Sequence, residues 1–155
     1  MSSLKATLGL WFFGLLKIPL IAYVRPSIVQ KTDKTCEIKI PLNYFTKNHL
    51  NSMYFGALAI GADVAGGLIA MELIGRSKKK VQLVFKDFEA KFLKRPEADV
   101  HFTCHDGEMI RKQVQETIKT KKRVNRVLTI VATTPKISGD EPVAEFKLNL
   151  SLKAK

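Results

Sequence analysis

"NHLNSMYFGALAIGADVAGGLIAMELIG", residues 48–75, decides the fold. From Met53 to Met71 it carries a single charge, Asp63, among residues that are otherwise apolar, small or uncharged. Length and Ala, Leu and Met content predict a helix over about residues 53–74. Ser52 is the expected N-cap, and Gly75 the expected stop ahead of Arg76. Such a rod is ~33 Å long. It is apolar all round, so something must cover it. Length alone would also allow a membrane span, with the basic run "RSKKK" (76–80) as its flank. Against a span stand the carboxylate at its centre, which is costly in lipid, and the scarcity of large side chains.

The flanking segments supply a cover. "RPSIVQKTDKTCEIKIPL" reads as two strands around the turn "KTDKT", with Cys36, Ile38 and Ile40 alternating with Glu37 and Lys39. After the helix, Val81, Leu83 and Phe85 and then Phe88, Ala90 and Phe92 keep a period of two, with a slip at Lys86–Asp87 that predicts a β-bulge. "RPEAD" turns the chain into a strand with Val100, Phe102 and Cys104 on one face. "DGEMIRKQVQETIKTKK" is a polar helix with Met109, Ile110, Val114 and Ile118 on one side. Two long strands follow, "RVNRVLTIVATTPKI" and "PVAEFKLNLSLKA". The links between strands are short, which fits hairpins in an antiparallel sheet. The economical arrangement is α+β: a curved antiparallel sheet of about six strands wrapped around the helix at 53–74.

The N-terminal run "LGLWFFGLLKIPLIAYV" (8–24) is apolar but interrupted by Lys17 and Pro19, and no small-residue cleavage site follows, unlike a signal peptide. It predicts an amphipathic helix to about residue 17, broken before Pro19. Residues 1–24 are then an extension packed on a single domain of residues 25–155. Two roles are open to it: lining a pocket, or peripheral contact with a membrane surface.

A chain of 155 residues with 46% hydrophobic and 26% charged residues is long enough to bury a core as one domain. Its net charge of +12 suits a polyanionic partner, whether nucleic acid, an anionic membrane or a phosphorylated group such as coenzyme A, or serves solubility alone. Nucleic acid is the weakest of these, because no interleaving of aromatic and basic residues is present. Cys36 and Cys104 lie far apart without metal spacing and read as free buried thiols of a reducing, cytoplasmic compartment. His49, His101 and His105 are too scattered for a metal site.

The strand and helix order, together with "NHLNSMYFGALAIGAD", resembles the hotdog-fold thioesterase superfamily, in particular its small single-domain, thioesterase-like bacterial branch of the DUF4442 kind. Acyl-CoA thioesterases of that superfamily carry a pattern like N-x-x-G-x-x-H-G-G-x-x-x-x-x-x-D at the start of the central helix. Asn48 matches the leading Asn, Gly56 the last Gly and Asp63 the carboxylate. Asn51, Tyr54 and Phe55 stand where that pattern has Gly, His and Gly. The resemblance covers most of residues 25–155.

The resemblance implies hydrolysis of an acyl-CoA-type thioester at a site between the subunits of a homodimer, with a dimer of dimers as the larger assembly. Asp63 would be general base or nucleophile, and a structural carboxylate bonded within the fold is the other reading of it. The Gly56 N–H would donate to the oxyanion, while Asn48, Asn51 and Tyr54 would position water or carbonyl. Asn48 and Asn51 also read as turn caps, and Tyr54 also reads as a core aromatic. Arg76, Lys78, Lys91, Lys94 and Arg95, with the run "KTKKR" (119–123), are candidates for the phosphates of coenzyme A, which enters as part of the substrate; no further cofactor is expected. Phe85, Phe92, Trp11, Phe12 and Phe13 would line a pocket for a medium or long acyl chain. A non-catalytic acyl-CoA binder on the same fold is the alternative.

Overall fold

The computed structural model describes residues 3–155. Along the chain run α1 (Ser3–Lys17), α2 (Pro19–Tyr23), β1 (Ser27–Lys31), β2 (Cys36–Ile40), α3 (Phe55–Ser77), β3 (Val81–Phe92), β4 (Val100–Cys104), α4 (Gly107–Thr120), β5 (Val124–Thr133), α5 (Pro135–Ser138) and β6 (Pro142–Ala154). The six strands form one sheet in the order β1-β2-β4-β5-β6-β3, antiparallel throughout. The sheet curves around α3, which is the hotdog arrangement.

The alternation in the strands places the core. Ile38 and Ile40 of β2, Val100 and Phe102 of β4, Leu128 and Ile130 of β5, and Phe146, Leu148, Leu150 and Leu152 of β6 are all buried. They meet Ala57, Leu58, Ala62, Ala65, Ile69 and Ala70 of α3 in one core. The small residues of α3 let the sheet come close. A Cβ on Gly61 would lie 2.3 Å from the Phe102 ring, so only glycine fits beneath it. Gly66 faces Leu128 and Ile130, so this part of the small-residue stripe packs on the chain's own sheet. Length and composition would suit α3 to a bilayer, yet it is the helix the sheet covers.

The bulge lies where the sequence slips. Phe85 pairs with Leu150 and Phe88 with Leu148, so three steps on β3 match two on β6. Three expectations about the ends of α3 and the strand links need correction. The helix starts at Phe55 with Tyr54 as N-cap, because the Ser52 hydroxyl is engaged by Asn48 Oδ1 at 3.2 Å. It also runs through Gly75 to Ser77, and Lys78 takes the left-handed position, at φ 54°. Finally, β3 and β4 form no hairpin. β3 is the sheet edge beside β6, and β4 sits between β2 and β5. Residues 93–99 carry the chain across the start of α3, where Met53 N–H donates to Pro96 O at 2.9 Å.

The N-terminal helix ends at Lys17 as expected, and Pro19, which has no N–H to continue it, opens the short α2. Leu10, Ile21 and Val24 join the same core as the sheet. The helix is not amphipathic, because apolar side chains project outward as well as inward. Cys36 and Cys104 are free, buried and paired in register across β2 and β4. Burial pushes their thiols up to about 12 and about 11 respectively, so both stay protonated at neutral pH.

Candidate active site

Two of the openings along α3 hold expected site residues, Asn48 and Tyr54 in one and Asp63 in the other. The first lies at the helix start, with a volume of about 590 Å³. Its walls are Asn48 to Leu50, Ser52 to Phe55, Leu58, and Phe92 to Pro96 at the end of β3, with Asn51 turned away from it. The second is a cleft of about 330 Å³ further along α3, formed by Ile18, Leu20 and Ile21, Ala59, Ile60 and Asp63, and Phe85, Phe88 and Leu148. A smaller space of about 80 Å³ adjoins it, sharing Asp63 and Phe85 and adding Phe13, Met71 and Leu83.

At the helix start, polar side chains are largely occupied by the loop itself. Asn48 Oδ1 accepts from Leu50 N–H at 2.9 Å, Ser52 N–H at 3.2 Å and the Ser52 hydroxyl. This is an Asx-type turn that fixes the chain before α3. Asn51 holds a left-handed conformation (φ 58°), and its Oδ1 accepts from Lys47 Nζ at 3.0 Å. Tyr54 packs on Phe55 with ring centroids 4.7 Å apart. Its ring also lies over Gly56, where a Cβ would come within 2.5 Å of it. The missing side chain at Gly56 therefore makes room for Tyr54, as well as baring the backbone.

Backbone donors do remain. α3 has no side-chain cap, and among the described residues the Phe55 and Gly56 N–H groups have no partner. A helix start with free N–H groups attracts negative charge. Lys94 and Arg95 stand on the wall of the same cavity, each beside a carboxylate, Glu141 and Glu97 respectively. Lys91, on β3, lies at the same end of the helix and pairs in register with Glu145. Arg76 and Lys78 lie at the opposite end of α3, ~30 Å away by helix rise. Arg76 is held there by Asp33 and Glu72. Lys91 sits with Glu89 and Lys147 rather than on the cavity wall, so the five basic candidates do not form one phosphate site within a single chain.

Asp63 sits in the second opening. Among the described residues its carboxylate has no hydrogen-bond or ion-pair partner, in contrast to Asn48 and Asn51. Its surroundings are almost wholly apolar. Burial raises its pKa above the ordinary 3.8, because the charged form loses solvation without compensation. A carboxylate kept unpaired in an apolar cleft is poised to take a proton or to attack an electrophile. Asp63 lies seven residues beyond Gly56, two helical turns on the same side of α3 and ~10 Å away. One reacting carbonyl cannot touch both within a single chain.

The apolar walls differ in part from expectation. Phe85 and Phe13 border Asp63. Phe92 belongs to the opening at the helix start. Trp11 Nε1–H instead donates to Pro26 O at 2.6 Å, and Phe12 points outward. Ile18, Leu20, Ile21 and Phe88, which the sequence reading did not single out, are the principal cleft residues around Asp63. For Ile18, Leu20 and Ile21 the signal was available in the break at Pro19, which turns the chain toward this cleft; for Phe88 it lay in the alternation of β3.

The chain belongs to the DUF4442 family, a domain of unknown function, whose model matches residues 10–146. No curated protein matches it. Solved structures share its fold over nearly the whole length. A Pseudomonas aeruginosa protein of unknown function, called a probable thioesterase, is similar at 20% identity with a TM-score of 0.76, covering 96% of each chain. A Chlorobaculum tepidum TLS protein of unknown function gives a TM-score of 0.81 at 14% identity, covering 99% of this chain and 98% of that one. A thioesterase from Haemophilus influenzae gives 0.68 at 13% identity, covering 92% and 88%. At these identities the likeness is one of fold.

Proposed function

We propose that the protein hydrolyses the thioester of a medium- or long-chain acyl group carried on coenzyme A, with Asp63 as general base or nucleophile. The observation that carries this reading is the unpaired Asp63 carboxylate in an apolar cleft on the central helix of a hotdog fold. Thioester hydrolysis needs a base or nucleophile, donors for the oxyanion and a slot for the acyl chain. Asp63 supplies the first. The free Phe55 and Gly56 N–H groups supply the second. The cleft of about 330 Å³ among Ile18, Leu20, Ile21, Phe85 and Phe88 supplies the third.

The ~10 Å between Gly56 and Asp63 gives the reading its quaternary form. The functional unit is a homodimer in which the helix start of one chain faces Asp63 of the other. β3 is a twelve-residue edge strand, and Phe88 and Phe92 on it are about half exposed, so joining two β3 edges would pair the backbone and cover both rings. Lys94 and Arg95 at the cavity rim would receive phosphates of coenzyme A, and Lys91, Arg76 and Lys78 would act only if a partner brings them near. The enzyme works in the cytoplasm, and coenzyme A enters as part of the substrate.

Thiol release measured over acyl-CoAs of increasing chain length tests the reading. Turnover that rises from acetyl to medium or long chains supports it. No turnover with any acyl-CoA, together with retained acyl-CoA binding, favours the alternative: a binder on the same fold, for which the occupied Asn48 and Asn51 side chains speak.

A further inference from the structure

Helix α1 is held to the body by one side and bares apolar groups on the other. Thr7, Leu10 and Gly14 face inward, and Thr7 Oγ1 accepts from Ile28 N–H at 3.0 Å. Outward, Leu4, Leu8, Phe12, Leu15 and Leu16 are each more than half exposed. They recur at helical spacing and form one arc with a single charge in it, Lys5. Exposed Leu20 and Tyr23 of α2 extend the patch, and Tyr23 meets Phe45 edge-on at 5.2 Å. A contiguous apolar surface of this kind marks a binding face.

Charge selects its occupant. Residues 1–32 hold Lys5, Lys17, Arg25 and Lys31 and no Asp or Glu. Lys31 is engaged by Glu72, while Lys5, Lys17 and Arg25 make no ion pair among the described residues. Two copies meeting through this face would set basic groups against basic groups, on chains that each carry +12. An anionic lipid surface takes both features at once: acyl chains for the leucines and headgroups for the cations. α1 spans only ~22 Å and breaks at Pro19, too short to cross the bilayer core. We propose that the outer face of α1 and α2 docks the protein on an anionic membrane, with α1 lying in the plane of the interface. Ile18, Leu20 and Ile21 belong to the same hairpin and line the Asp63 cleft, so the docked bilayer lies beside that opening. The docking itself is independent of any catalysis.

Trp11 is the only tryptophan in the chain and lies on α1, so its fluorescence reports the event directly. The probe is a phosphatidylcholine vesicle with roughly 30 mol % phosphatidylglycerol, against phosphatidylcholine alone. Wild-type protein should sediment with the anionic vesicles, and brominated acyl chains should quench Trp11. Leu8→Ser/Phe12→Ser/Leu15→Ser, all at outward positions, should lower partitioning by roughly 100-fold. Lys5→Glu/Lys17→Glu, with the apolar face intact, should lower it by at least roughly tenfold. The proposal is overturned if wild type stays in the supernatant with Trp11 unquenched, or if the triple-serine variant binds as wild type does. If wild type ignores vesicles and the serine variant turns a dimer into a monomer by light scattering, a second copy covers this face and the proposal fails.

Discussion

The loop that leads into α3 and the middle of that helix use polar side chains in opposite ways. Before the helix, Asn48 and Asn51 spend their oxygens on the loop. In the middle, Asp63 has apolar neighbours and, among the described residues, no polar partner. A side chain with satisfied bonds explains itself by stability. A desolvated, unpaired carboxylate costs stability, and a cost that nothing offsets locally points to function.

Activity should separate the two regions most strongly. Asp63→Asn keeps the shape and removes the base, so thiol release should fall by roughly 100-fold or more. Asn48→Ala should leave turnover per folded molecule within about threefold, because its side chain serves the turn. Equal losses in the two variants would erase the contrast.

Stability should reverse the order. Asn48→Ala removes the acceptor of the Leu50 and Ser52 donors and should cost about 0.5–1.5 kcal/mol, read by urea unfolding. Asp63→Asn should stabilise the fold at neutral pH. The sign follows from the raised pKa. The folded state holds the Asp63 proton more tightly than the unfolded state, so this group's contribution is fully present below 3.8 and is lost as pH rises through its folded pKa. Melting temperatures of wild type and Asp63→Asn should therefore converge at acid pH and diverge toward neutrality, with the variant higher. A constant offset across that range would show that Asp63 is not desolvated.

The smallest effect concerns the basic groups. Lys94→Ala/Arg95→Ala should raise KM for acyl-CoA by a few-fold, since both side chains are exposed and screened. Arg76→Ala, at the far end of the helix, should change KM less. The reverse order would place coenzyme A at the other end of α3.

The sequence carried much of the fold. The period-two strands, the bulge at Lys86–Asp87 and the long apolar helix are local patterns, and local patterns survive folding. Strand order was not legible, because the seven residues between β3 and β4 are as short as a hairpin loop yet cross the end of α3. The helix ends shifted for side-chain reasons: Asn48 engages Ser52, and Lys78 rather than Gly75 takes the left-handed position. Asp63 stood out as the lone charge in its run. What the sequence could not give was the Tyr54 ring over Gly56, or the two openings that part Asp63 from the asparagines. Both depend on contacts between segments that no spacing encodes.

The pH dependence of thiol release, compared between wild type and Asp63→Asn, tests the central claim most directly. A base must be deprotonated to act, so the wild-type rate should rise with pH through a midpoint above 3.8, and that limb should vanish in the variant. A wild-type profile without such a limb, or the same limb in Asp63→Asn, would contradict the assignment of Asp63 as the group that drives the reaction.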